Sequence, residues 1–186
     1  MDNTTLIIAV VLIVLIMGVI LGLSFFTRRK RSERYQDKYG AEYDHTIKTA
    51  GNDKKAQAEL NDRKKHVETL DIRPLSDGER EGYLAEWTAI QAKFVDQPGQ
   101  ATVEADHLIM KVMQMRAYPV SDFDQRAADI SINYPALVSN YRAAREIAIK
   151  NEHQQASTEE LRQALIYYRS LFDELLKTET VAPETK

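Results

Sequence analysis

The chain contains no cysteine. Disulfides, thiol catalysis, cysteine-ligated zinc and iron–sulfur clusters are thereby excluded together. Glycine is scarce as well, with seven in 186 residues, and between Leu75 and Lys177 only Gly78, Gly82 and Gly99 occur. The sequence holds no G-x-S-x-G elbow, no glycine-rich loop to cradle phosphate and no His-Glu-x-x-His helix. A large charge of one sign is missing too. The net charge of −3 gives no general electrostatic footprint for nucleic acid, so nucleic acid is not expected as a partner.

What is present is unevenly spread. Leu6 to Phe26 is a run of 21 residues without charge or proline, with Ser24 its one polar side chain. As a helix it would span roughly 31 Å, close to the thickness of a bilayer's hydrocarbon core. Only a helix satisfies its own backbone groups in lipid. A cleavable signal peptide would need a basic start, a shorter apolar core and a small-x-small cleavage site. Here Met1-Asp2-Asn3-Thr4-Thr5 carries an acid and no base, and the run ends on bulky Phe25 and Phe26. The expectation is a retained transmembrane anchor over 1–27.

Charge sets the expected orientation. Arg28, Arg29, Lys30, Arg31 and Arg34 follow the run directly, and Arg28 to Lys38 holds six basic and two acidic residues, net +4. Cytoplasmic flanks carry the excess of Lys and Arg. This places the N-terminus outside and the C-terminal domain in the cytoplasm. The same cluster could attract anionic lipid, although a stop-transfer flank accounts for it. Gly18 and Gly22 make a G-x-x-x-G pair, the spacing that lets two membrane helices approach as a homodimer.

Residues 28–74 read as a basic flank followed by a charged connecting helix. Tyr35, Tyr39 and Tyr43, with Ile47, recur every fourth residue and form one stripe, a candidate surface for a partner or for packing. Gly40 predicts a break in it. Gly51 and Asn52 read as a stop and a new N-cap. From Asp53 to Leu70 a thin seam of Ala56, Leu60, Val67 and Leu70 predicts either a solvated stalk or a helix lying across the domain.

Residues 75–177 predict an all-α array of about five short amphipathic helices. Ser76-x-x-Glu79 and Ser157-x-x-Glu160 are capping boxes, in which serine and glutamate each satisfy a free backbone N–H. Pro98, Pro119 and Pro135 separate the remaining helices. Apolar residues return at three- and four-residue spacing: Tyr83, Leu84, Trp87, Ile90 and Phe94 in the first helix, Leu108, Ile109, Val112 and Met115 in the second. Residues 178–186 read as a disordered tail.

Chemistry is thinly signalled. Glu42-x-x-His45 and Glu104-x-x-His107 have the spacing of di-iron ligands, but His107 lies far from its helix's apolar face. His66 and His153 stand among charges and read as exposed. Arg126, Arg142, Arg145, Arg162 and Arg169 would form an anion site only by converging, and otherwise would pair with neighbours such as Asp129 or Glu146. No catalytic, metal or cofactor residue is assigned and no cofactor is expected.

The segments AEWTAIQAKFVDQPGQATVEADHLI, YPVSDFDQRAADISINYPALVSNYR and ASTEELRQALIYYRSLFDELL resemble an uncharacterised family of bacterial single-span membrane proteins with an all-α soluble domain. The resemblance covers roughly residues 43–176. It implies a bacterial inner-membrane setting and carries over no functional residue. The function expected is a membrane-anchored interaction module, adaptor or scaffold, whose partners are the bilayer and another protein. A membrane-tethered enzyme domain binding a ligand or metal is the alternative.

Overall fold

The computed structural model describes residues 3–177, and every regular element among them is helical. The chain divides into two units, 1–38 and 39–186. The first is formed by α1 (Asn3–Tyr39), a single 37-residue helix that contains the whole apolar run and its basic flank. Most side chains of that run lie outside the described residues. Among the described residues no helix is long and apolar enough to cross a membrane.

The second unit begins at Tyr39 rather than at Leu75. It contains α2 (Ala41–Ala50), α3 (Asp53–Glu68), α4 (Asp77–Phe94), α5 (Pro98–Met115), α6 (Phe123–Asn133), α7 (Pro135–Glu152) and α8 (Thr158–Leu175). Local chemistry explains most of the boundaries. Gly40 (φ 51°) separates α1 from α2, and Gly51 (φ 89°) ends α2 in the left-handed region that glycine enters freely. Asn52 then caps α3 by accepting from the Lys55 amide at 3.0 Å. Both capping boxes form as the sequence predicts, and Pro98 and Pro135 open α5 and α7.

The helices α4 and α5 are antiparallel, since Lys93–Glu104 and Lys111–Glu86 pair in reversed order. Against α5 packs α8, which also lies along α7, and α6 covers α7. The core is strongly aromatic. Trp87 stacks on Phe172 with ring centroids 4.8 Å apart, and Tyr141 meets Tyr168 edge-on at 6.2 Å. Such rings bury large apolar areas and contribute about 0.5–1.5 kcal/mol more through their geometry. The apolar faces read from the sequence hold, with local exceptions. Leu84 and Met115 are exposed, and Met113 takes the buried place.

The connecting helix is not a stalk. α2 and α3 fold back on each other as a hairpin, with α2 against α7 and α3 against α6. The seam residues Ala56, Leu60 and Val67 are buried there.

Candidate functional site

A group of buried charges lies where this hairpin meets α6 and α7. Glu42, on the first turn of α2, has a side chain with 0% exposure. Arg142 of α7 holds it with two nitrogens, at 2.5 Å to Oε2 and 3.0 Å to Oε1. Arg63 of α3 donates to Oε1 from the other side at 2.8 Å. Arg63 also donates to Glu59, one turn earlier, and to the Ser131 hydroxyl of α6 at 3.3 Å. One carboxylate thus ties three helices, and two guanidiniums compensate its desolvation. His45, one turn on, is held below its ordinary pKa, first by burial and then by the Arg142 charge. Of the pair Glu42 and His45, Glu42 is held in the arginine clamp.

A second buried carboxylate sits on the same interface. Asp129 of α6 is fully buried, and its Oδ1 accepts from Gln125 at 2.8 Å while standing 3.6 Å from His66 Nε2 of α3. Its Oδ2 has no partner among the described residues. Burial pushes the Asp129 carboxyl above its usual range.

Deeper in the unit, Asp106 of α5 stands beside the Tyr168 hydroxyl, and Arg145 Nη1 approaches Asp106 Oδ2 at 3.6 Å. Burial and then the Asp106 charge push the Tyr168 hydroxyl far upward in pKa. Arg116 at the end of α5 is 1% exposed. It donates to the carbonyls of Arg73 (3.2 Å) and Leu175 (3.0 Å) and to the Tyr134 hydroxyl (3.0 Å). Leu175 closes α8, so the cation satisfies a carbonyl that the helix end leaves open.

One open groove, about 380 Å³, lies along α4 and α5 and is lined by Glu86, Ala89, Ile90, Glu104, His107 and Lys111 among others. Its carboxylates are occupied. Lys111 binds Glu86 at 2.7 Å, and Lys93 binds Glu104 at 2.6 Å and holds that carboxyl below its ordinary range. His107 is exposed beside them. No set of three His, Asp or Glu side chains able to hold a metal exists among the described residues.

The five arginines read from the sequence do not converge. Arg126 is buried and donates to the Tyr141 hydroxyl and the Val120 carbonyl, while Arg142 and Arg145 bind Glu42 and Asp106. Arg162 and Arg169 pair along their own helix with Glu159 and Asp173. Asp129 meets His66 instead of an arginine, because α3 is its neighbour in space. Of the two uses expected for the tyrosine stripe, Tyr39 and Tyr43 take packing and not a partner surface. Tyr39 and Tyr43 are 4% and 1% exposed, and the Tyr43 hydroxyl accepts from Gln57 of α3. Buried rings cannot form a partner surface, and Tyr35, half-buried, falls in the other unit.

Along α1, Arg29, Lys30, Arg31 and Arg34 are exposed, and Arg29 donates to Glu33 at 3.1 Å. The side chain of Arg28, the surroundings of Gly22 and the expected tail 178–186 lie outside the described residues. A Cβ at Gly18 would meet nothing within 4 Å. Arg116 and the Glu42 clamp went unread in the sequence, since their partners lie far along the chain. Compared with family models, with curated proteins and with solved structures, the chain matches none.

Proposed function

We propose that this chain is a membrane-anchored helical module that binds another protein. The apolar run of α1 is the anchor, and the unit from Tyr39 onward is the binding part. The observation that carries this is the uncharged 21-residue run followed at once by Arg28, Arg29, Lys30, Arg31 and Arg34. A helix continuous from Asn3 to Tyr39 is compatible with it. The charge asymmetry favours the binding unit in the cytoplasm and the N-terminus outside. Gly18 and Gly22 would let two copies pair within the bilayer.

The test has two readings in one preparation. In right-side-out membrane vesicles the chain should resist extraction without detergent, and the second unit should resist added protease until lysis. Recovery in the soluble fraction, or digestion in intact vesicles, defeats the proposal. Cross-linking in cells should then trap one reproducible protein.

The α4–α5 groove supports the second reading, a small-ligand site, because it sets charged groups over the apolar floor of Ala89, Ile90 and Leu108. Ligand-dependent shifts of His107 resonances in an NMR screen would favour that reading over the interaction module.

A further inference from the structure

We infer that the α2–α3 hairpin is a releasable clasp, which opens from α6 and α7 as one piece while α4, α5 and α8 stay folded. Three observations lead there.

The first is what the core leaves out. The contiguous cluster of buried apolar side chains runs from Leu75 to Leu176 and includes no residue of α2 or α3. Leu70 and Ile72 are the earliest residues packed against it. The hairpin is therefore attached through its own contacts.

The second is the chemistry of those contacts. The buried apolar side chains of the hairpin are Tyr43, Ala56, Leu60 and Val67, and beside them the buried groups at or near this interface are Glu42, Thr46, Asp129 and Ser131, with Arg63 and Arg142 16% and 21% exposed. The Thr46 hydroxyl returns to its own helix at the Glu42 carbonyl, 2.8 Å away. Asp129 Oδ2 has no partner among the described residues. Buried ion pairs roughly break even against their desolvation, whereas apolar burial is strongly favourable. A docking surface built this way separates before an aromatic core does, as the less stable cooperative piece of a fold.

The third is a hinge at a defined place. Just after α3, the segment toward α4 is fastened to the core. The Arg73 amide donates to the Arg116 carbonyl and Arg116 Nε donates to the Arg73 carbonyl, both at 3.2 Å, and Leu75 is buried. Just before it, Thr69 caps α3, its hydroxyl donating to the His66 carbonyl at 2.6 Å. These contacts place the hinge of the clasp at the junction of Thr69 and Leu70. Opening would uncover Asp129, Ser131 and Arg142 on α6–α7 and Glu42 and Arg63 on the hairpin, two faces of complementary charge.

The experiment is native-state hydrogen exchange by mass spectrometry on the full chain in detergent micelles, beside denaturation followed by Trp87, the single tryptophan. Amides of 41–68 should open together at lower denaturant than those of α4, α5 and α8. Glu42→Gln should raise exchange in 41–68 by about 10- to 100-fold, the range for losing charged hydrogen bonds, with the Trp87 midpoint nearly unmoved. Ser131→Ala, which removes the Arg63 contact across the interface together with the serine's own bond to the Ala128 carbonyl, should act on the same segment more weakly. Hairpin amides that exchange only with global unfolding overturn the clasp. So does a Glu42→Gln effect shared equally by all helices.

Discussion

Arg142 of α7 grips Glu42 of α2 with two nitrogens, at 2.5 and 3.0 Å, across 100 positions of sequence. The geometry is the fork that matches guanidinium to carboxylate. Arg63 completes it from the opposite side. The arrangement binds the N-terminal hairpin of the unit to the helix at the centre of its C-terminal half.

Removing either partner strands a buried charge. Glu42→Ala and Arg142→Ala should each destabilise the hairpin's docking by about 3 kcal/mol. The double variant should lose less than the sum, since the shared interaction disappears once. Exchange protection within 41–68 measures all three, and strict additivity would show that the pair is not coupled.

Arg116 makes a different kind of prediction. It serves the Arg73 carbonyl, the Leu175 carbonyl and the Tyr134 hydroxyl at once. Arg116→Ala should lower global stability by about 3 kcal/mol, the upper end for charged hydrogen bonds left unmade. Arg116→Lys should recover less than half of that, because an ammonium lacks the planar spread of donors. Urea denaturation followed by Trp87 separates the two variants.

Two helices end on left-handed residues that are not glycine. Ala117 (φ 68°) closes α5 and Gln154 (φ 58°) closes α7. In each the next amide reaches back over the helix end, Tyr118 to Met113 at 3.0 Å and Gln155 to Lys150 at 2.9 Å. A side chain in this conformation costs about 1 kcal/mol that glycine avoids. Ala117→Gly and Gln154→Gly should each raise the melting temperature, against the usual direction for adding glycine. A decrease would contradict the observed backbone.

Asp129 supplies the pH dependence. Burial raises its pKa in the folded state above the unfolded value, so the folded state binds the proton more tightly. The penalty of the ionised form is present in full above the raised folded pKa. It fades as pH falls toward the ordinary value of 3.8. Asp129→Asn should therefore be more stable than wild type at neutral pH, with the advantage vanishing at acid pH. Paired urea titrations at pH 7 and pH 4 test the sign, and a constant difference at both would refute it.

How much of this was legible in the residues differs from element to element. Ser76 with Glu79, Ser157 with Glu160, and Gly51 with Asn52 marked helix ends correctly, because a cap is decided within four residues of chain. The left-handed residues Ala117 and Gln154 carried no such mark, since neither is a glycine. The tyrosine stripe was visible as a stripe, yet periodicity says only that residues share a face. Whether that face meets solvent, a partner or the same chain depends on what lies opposite, and α3 lies opposite Tyr43.

Composition and spacing were enough to establish an all-helical chain with an apolar head, a basic flank and an amphipathic body, because hydrophobic period, capping and charge runs are properties of neighbouring residues. The burial of Glu42, Asp129 and Arg116, and the choice of Arg142, His66 and the Leu175 carbonyl as partners, came from the folded arrangement alone. A charge cannot select a partner until the helices are placed, and burial then makes a mismatched choice expensive.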